Sequence, residues 1–96
     1  MKNYDVIYSN NFKKDLKKVI KQGKDLNKLN LIIQKLASGE ELDSKYRNHK
    51  LVDEKYFKNC RELHIEPDWL LVYQIIDDEL LLLLVRTGSH SEVLDK

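Results

Sequence analysis

The three histidines of this chain could carry out acid–base chemistry on a phosphodiester. Each lies at the end or edge of an apolar segment, beside basic, acidic or turn residues, in segments 48–50, 64–69 and 86–90. A histidine of unperturbed pKa, about 6.5, both donates and accepts protons near neutral pH. Three imidazoles with an aspartate and several cations suffice for metal-free proton transfer. Whether these side chains meet depends on the elements that carry them.

The composition indicates a globular protein. Its 96 residues, 42% hydrophobic and 34% charged, predict a single domain, 1–96, with one core. The longest apolar run, 80–85, is far shorter than the roughly 20 residues that cross a bilayer, and the N-terminus shows no signal-peptide core. A single cysteine, Cys60, excludes an intrachain disulfide. We therefore expect a cytoplasmic protein without membrane contact.

The net charge of +1 hides an asymmetry between the two halves of the chain. Residues 1–50 carry 12 Lys and Arg against 6 Asp and Glu, and residues 51–96 carry 5 against 10. A basic surface can bind a polyanion because neutralised phosphates release counterions. The total charge is too low for bulk electrostatic binding of nucleic acid. Any action on nucleic acid must be local or helped by a larger assembly that presents the substrate.

The first half of the chain predicts a strand and two helices. Residues 3–8 alternate in polarity as a short strand does. Ser9 is suited to cap a helix that ends at Gly23, and a second helix is predicted from Asp25 to Ser38, closed by Gly39. Their apolar stripes should face each other or a sheet, and they comprise Phe12, Leu16, Val19 and Ile20 in the first helix and Leu26, Leu29, Ile33 and Leu36 in the second.

The second half predicts strands. Residues 40–50 are polar and predict an exposed loop that carries His49, whereas 57–66, 69–76 and 80–87 are strand-like. Asp77 and Asp78 predict a tight hairpin turn, and Pro67 and Asp68 separate the preceding pair. The last strand is apolar on both faces, so loops, the chain's own ends or a partner must cover the face that the helices leave open. The predicted fold class is α+β: an N-terminal strand, a helical hairpin and a three- to four-stranded antiparallel sheet.

Each candidate residue also has a purely structural interpretation. His64 shares strand parity with Glu62 and Glu66, which places it on the polar face as either a solvated side chain or a base. Asp68 could only stabilise a turn, and Trp69 could pack in the core or stack on a nucleotide base. His49 could be an ordinary loop residue, and His90 an inert residue near the C-terminus. Cys60 could be a small buried residue, and Arg86 a salt-bridge partner. No histidine pair has the short ligand spacing of a usual zinc motif, so we expect no metal and no cofactor.

Several motifs resemble the YafQ branch of the RelE/ParE toxin superfamily. They are the helical segment 12–16, then Asn48-His49-Lys50-Leu51, the block 61–73 around Pro67-Asp68-Trp69, and the closing segment 86–91 with Thr-Gly-Ser-His. The resemblance runs from about residue 4 to residue 94. It implies a RelE-like fold that agrees with the order of elements predicted above.

This resemblance implies a toxin of a type II toxin–antitoxin pair that cuts mRNA on the ribosome and is silenced by a cognate antitoxin. His49, His64, Asp68 and His90 match the family's catalytic positions, and Trp69 matches a neighbouring position. Arg61, Arg86 and Lys50 match basic positions of the site region. Leu94 stands where the family usually has an aromatic residue, which changes the contact expected with the substrate.

The chemistry of RNA cleavage suits these groups. The 2′-OH must lose a proton, the phosphorane charge must be stabilised, and the 5′-oxygen must gain a proton as it leaves. We hypothesise that His90 is the acid, that Asp68 or His64 is the base, and that His49 and Arg86 bind the phosphate. The alternatives are a ParE-like, non-enzymatic inhibitor of DNA gyrase and a toxin-fold module that has lost activity. Both would share the fold.

Overall fold

The computed structural model describes residues 3–51 and 58–94, and its order of elements follows the predicted one. A strand and two helices come first, and an antiparallel meander of strands ends in a short helix. The elements are β1 (Asp5–Tyr8), α1 (Asn10–Lys21), α2 (Leu26–Ala37), β2 (His49–Lys50), β3 (Arg61–Glu66), β4 (Trp69–Ile76), β5 (Leu81–Gly88) and α3 (His90–Leu94). Of the predicted strand 57–66, Phe57 lies outside the described residues.

The strands form one five-stranded sheet in the order β1-β5-β4-β3-β2. The predicted antiparallel meander is confirmed as β3, β4 and β5, joined by turns at 67–68 and 77–80. Two further strands extend it, because β1 pairs in parallel with β5 and β2 pairs with β3. Each covers backbone donors and acceptors that would otherwise stay unpaired at the sheet edge. The prediction of a loop through residue 50 is therefore wrong for His49 and Lys50, which are strand residues.

Both long helices begin and end where the sequence predicts. The Ser9 hydroxyl accepts a hydrogen bond of 3.0 Å from the backbone N–H of Phe12, and the Asp25 carboxylate accepts one of 2.9 Å from Asn27. These contacts satisfy N–H groups that have no partner within the helix. Gly23, which follows α1, has a φ of 75°, the left-handed conformation that commonly ends a helix.

The main core lies between the two long helices and one face of the sheet. α1 packs chiefly against β5 and α2 against β3, so the apolar stripes face the sheet more than each other. One stripe prediction is wrong: Ile20 is 52% exposed, because the buried side of α1 is formed by Phe12, Asp15 and Val19 and Ile20 lies to one side of it. Ile32, which was not assigned to the second stripe, is buried. The core residues include Phe12, Val19, Leu29, Ile33, Leu63, Trp69, Leu71, Leu82 and Leu84.

The opposite face of the sheet is covered in part by the end of the chain, one of the three alternatives left open above. Val93 of α3 packs against Cys60 and Val72, with Val85 and Leu94 at the margin of this second, smaller cluster. The sequence pattern did not predict α3, which has only five residues. The same face also carries polar side chains beside this smaller cluster.

Candidate active site

Strand pairing brings two of the three histidines to the same face. On β3 the side chains of Glu62 and His64 alternate with buried Leu63, so they lie on the face opposite the main core. His49 of β2 is directly opposite Glu62 in the antiparallel register. Residues in such a pair project to the same side of a sheet. The predicted position of His64 on the polar face is confirmed.

The three imidazoles form a row. The ring centroids of His49 and His64 are 6.3 Å apart, and those of His64 and His90 are 5.4 Å apart. His90 joins the row because Gly88 ends β5 with a φ of 148° and α3 begins at His90 itself. Residues separated by up to 41 positions in the chain thus converge on one partly exposed surface.

A reciprocal capping interaction fixes the start of α3. The backbone N–H of Ser89 donates to the Glu92 carboxylate at 3.0 Å, and the N–H of Glu92 donates to the Ser89 hydroxyl at 3.3 Å. This is the capping box of a Ser-x-x-Glu sequence. The bonds from Ser89 hold the pKa of Glu92 below its usual value. His90 lies inside this box, which holds its backbone in place.

Asp68 holds His90 through two hydrogen bonds to the same carboxylate oxygen. The backbone N–H of His90 donates to Oδ1 at 3.0 Å, and Nδ1 of its ring donates to Oδ1 at 2.6 Å. These bonds lower the pKa of Asp68, the backbone bond most, and its side chain is 70% exposed, so the carboxylate is ionised near neutral pH. With Nδ1 bound to Asp68, Nε2 is the ring nitrogen through which His90 can exchange a proton with a substrate.

His49 is oriented from the opposite end of the row. Its Nδ1 lies 2.7 Å from the carbonyl oxygen of Arg47, and because a carbonyl can only accept, Nδ1 carries the proton of that bond. Its Nε2 lies 3.6 Å from Oε1 of Glu62, whose side chain is only 5% exposed.

His64 occupies the middle of the row and has a different environment. Burial lowers its pKa, with Glu62 acting in the opposite direction and the charges of His90, Arg47 and His49 adding to the decrease. Its Nδ1 is buried and has no hydrogen-bond partner among residues 3–51 and 58–94. The neutral form that results near pH 7 can accept a proton from a substrate.

Glu62, His64 and His90 also have the composition of a metal site. One side-chain donor atom from each of Glu62, His64 and His90 lies within 4.8 Å of the others, and Oε2 of Glu62 is buried with no partner in the described part of the chain. Nitrogen and carboxylate donors together suit zinc or copper. The sequence, which lacks a short ligand spacing, did not indicate this set because its members come from a strand and a distant helix.

Trp69 lies away from the histidine row. Its side chain is completely buried in the main core, where Nε1 donates a hydrogen bond of 3.0 Å to the Thr87 hydroxyl. That hydroxyl in turn donates to the carbonyl oxygen of Leu70 at 2.7 Å. The indole therefore ties β4 to β5 beneath the site and offers no surface on which a nucleotide base can stack.

Two other predicted contact residues, Lys50 and Arg61, are also set apart from the row. Lys50 pairs with Arg61 in the sheet register, one residue out of phase with His49 and Glu62, so alternation places both on the other face. Arg61 Nε donates to the Asn48 side chain at 3.0 Å. Leu94, the last residue of α3, is half-buried at the margin of the smaller cluster.

Arg86 is engaged by a carboxylate that the sequence did not single out. Its Nε and Nη2 donate to the two oxygens of Asp15 at 2.6 and 3.1 Å, and Nη2 also lies 3.3 Å from the carbonyl oxygen of Glu92. Asp15 is buried and accepts a further bond of 3.1 Å from the N–H of Thr87. The pairing raises the pKa of Arg86. The sequence feature that could have indicated this pairing is Asp15 itself, an acidic residue on the buried side of α1 between Phe12 and Val19.

The comparisons with known proteins agree with this fold. A family model described as a bacterial toxin of type II toxin–antitoxin systems, YafQ, matches residues 4–95. The mRNA interferase toxin YafQ of Escherichia coli BL21-DE3 is 39% identical over 88 residues, which are 91% of each chain. Within the described residues, no helix is long and apolar enough to span a membrane.

Solved structures give the same result. The toxin in the E. coli DinJ-YafQ toxin–antitoxin complex matches with a TM-score of 0.83 and 36% identity, covering 95% of this chain and 97% of that one. A metal-bound toxin from Helicobacter pylori matches with a TM-score of 0.84 and 44% identity, covering 97% and 99%. Fold and site thus define a small RelE-like bacterial toxin. The chain belongs to the YafQ family of type II toxin–antitoxin systems.

Proposed function

We propose that this toxin is an endoribonuclease that cleaves mRNA on the ribosome by general acid–base catalysis. The observation that carries the proposal is the row of three imidazoles whose last member, His90, is held by the ionised Asp68. The E. coli relatives, which are mRNA interferase toxins, support the choice of substrate. A protein that acted only by binding would have no need for adjacent imidazoles in different environments.

The proposed reaction is a transesterification at phosphorus. His64, neutral because burial lowers its pKa, accepts the proton of the 2′-OH as the 2′-oxygen bonds to phosphorus. His90 donates a proton from Nε2 to the 5′-oxygen as the bond between phosphorus and that oxygen breaks. The products are a 2′,3′-cyclic phosphate and a 5′-OH end. Asp68 stabilises the protonated ring of His90 and fixes its orientation.

The other candidates take supporting roles. His49, beside the buried carboxylate of Glu62, is placed to bind a non-bridging phosphate oxygen. Arg86 is a positioning residue, since its guanidinium joins Asp15 of α1 to the backbone of α3 near His90. Of the two residues first expected to bind the phosphate, His49 and Arg86, this proposal therefore keeps His49 alone in that role.

The partners follow from charge and family. A net charge of +1 suits a toxin to which the ribosome presents an aligned mRNA, with binding confined to a local basic surface. A cognate antitoxin neutralises the toxin in the cytoplasm, as the E. coli DinJ-YafQ complex suggests for its relative. We expect strong expression of the toxin alone to stop growth, and co-expression of the antitoxin to restore it. Unhindered growth during solo expression would count against toxicity.

The experiment is cleavage of a defined mRNA on programmed ribosomes by the purified toxin, with the double variant His64→Ala/His90→Ala as the control for contaminating nuclease. We expect the parent to produce fragments with 2′,3′-cyclic phosphate ends, and the double variant to produce none. A DNA supercoiling assay run in parallel should show no inhibition of gyrase. Gyrase inhibition without RNA cleavage would replace the proposal with a ParE-like function.

A further inference from the structure

A cavity of about 600 Å³ adjoins the histidine row and has no role in the chemistry described so far. It lies between α2, the 3₁₀ turn at Ser44–Tyr46 and the end of β3, and His64 is among its lining residues. Its volume is within the range of pockets that bind small ligands. A group bound in it would therefore be a direct neighbour of the proposed base.

The walls of this cavity combine apolar and cationic side chains. Tyr46, Ile65, Pro67 and the half-exposed Leu31 supply the apolar surface. A flat aromatic ring and aliphatic side chains are what single-stranded nucleotide bases pack against, because every base has a polarisable face. An exposed leucine in the wall of a basic cavity suits a ligand that is aromatic as well as anionic.

Charge points to the same class of ligand. Lys28, Lys45 and Arg47 line the cavity, and Glu66, the one acidic lining residue among 3–51 and 58–94, is bound to Lys28 at 2.8 Å. Within residues 3–51 and 58–94, neither Lys45 nor Arg47 forms a salt bridge, and Lys45 Nζ lies 5.2 Å from the centre of the Tyr46 ring. Lys45 and Arg47, which have no carboxylate partner among these residues, can therefore bind a phosphate group in the cavity.

Arg47 connects the cavity to the catalytic row. Its φ of 51° is in the left-handed region, which is uncommon for a residue with a side chain and often marks functional sites. This turn directs the Arg47 carbonyl to Nδ1 of His49, while the side chain lines the cavity. A phosphate bound by Arg47 would therefore be linked through one residue to the orientation of His49.

We propose that this cavity binds the nucleotide adjacent to the scissile phosphodiester, with its base against Tyr46 and Leu31 and its phosphate on Arg47 and Lys45. The inference rests on the proposed function and adds a binding site for the substrate to it. The Glu66–Lys28 pair offers an acceptor and a donor to the edge of the base, so the cavity also contributes to the choice of nucleotide.

The test is an NMR titration of the ¹⁵N-labelled toxin with 2′-O-methyl dinucleotides, which lack the 2′-OH and cannot be cleaved. We expect shifts of the amide signals of Tyr46, Arg47 and Ile65. Arg47→Ala and Tyr46→Leu should each weaken binding about tenfold, and Tyr46→Phe should restore it because the ring is kept. Lys13→Ala is the matched control, since it removes the same charge from an exposed position on α1.

Two results would overturn the inference. One is a set of shifted signals confined to other parts of the protein. The other is an equal loss of affinity in Arg47→Ala and Lys13→Ala, which would reveal only bulk electrostatic attraction. Binding in the cavity without cleavage on ribosomes would refute the proposed function and leave the nucleotide site intact. Cleavage without binding in the cavity would do the reverse.

Discussion

The two faces of the sheet are built on opposite principles. Against the helices, β4 and β5 contribute large apolar side chains that are fully buried, such as Leu71, Leu82 and Leu84. On the other face, β2 and β3 contribute two imidazoles and a buried carboxylate whose Oε2 has no partner among the described residues. The first arrangement lowers the free energy of the fold, whereas the second leaves polar groups incompletely satisfied. Such incomplete satisfaction is typical of a site prepared for a ligand.

This contrast predicts that substitutions on the two faces separate activity from stability. On the histidine face, we expect His64→Ala and His90→Ala each to lower the rate of mRNA cleavage at least about 100-fold, the size of a lost acid or base. Both rings are only half-buried, so the melting temperature should change little. The measurement is single-turnover cleavage on programmed ribosomes with thermal unfolding beside it, and Asn30→Ala on the exposed side of α2 is the control. Near-parent rates in both histidine variants would refute their roles.

On the helical face, the expected effect is on folding. Leu82→Ala should lower the free energy of unfolding by about 2–5 kcal/mol, because it removes a fully buried side chain and leaves a cavity. Leu83→Ala on the same strand, where the side chain is half-buried, is the matched control and should cost clearly less. Urea denaturation measures both. Equal losses in the two variants would contradict the assignment of the main core to one face.

Arg86 and Asp15 join the two faces, so their pair should affect both properties. In Asp15→Asn the Arg86 guanidinium loses its ionised partner, and we expect a loss of about 1–3 kcal/mol of stability. Cleavage should also slow, because α3 and His90 lose an attachment to α1. Asp25→Asn is the control, since asparagine caps a helix as well as aspartate does. An Asp15→Asn toxin with parent stability and parent cleavage would show that the pair has no positioning role.

The smallest effect concerns the rim of the helical face, where the Tyr4 hydroxyl donates to Asp77 at 2.7 Å. This bond raises the pKa of Tyr4. A raised pKa in the folded state stabilises the protein below the ordinary tyrosine value, about 10, and this stability is lost as pH rises through the folded value. As the pH rises above about 10, the free energy of unfolding should therefore fall less steeply for Tyr4→Phe than for the parent. Tyr8→Phe is the control, and identical alkaline profiles of parent and Tyr4→Phe would contradict the prediction.

The elements and their caps could be predicted because they depend on local signals. Ser9 and Asp25 cap the helices that they precede, and the alternation of β3 places His64 on the polar face. Contacts between distant segments left no such signal. The bonds from His90 to Asp68 require the β3–β4 turn to meet a five-residue helix, and the short length of β2 hid the strand that carries His49.

Trp69 and Arg86 show most clearly why the role of a single residue could not be predicted from the sequence. An indole beside a proline turn fits a stacking residue or a core residue equally well, and only packing shows that Trp69 is completely buried. An arginine near the end of β5 fits a phosphate ligand until the buried carboxylate of Asp15, 71 positions away, is found against it. Burial and long-range pairing are properties of the fold, so a residue pattern along the chain does not contain them.

The division of labour on the histidine face can be tested most directly with a modified leaving group. An mRNA with sulfur in place of the 5′-bridging oxygen at the cleavage site needs no general acid, because a thiolate leaves without protonation. On ribosomes programmed with this mRNA, we expect His90→Ala to cleave at close to the parent rate, while His64→Ala stays slow. If His90→Ala remains as impaired with sulfur as with oxygen, His90 does not protonate the leaving group, and the account of this face is wrong.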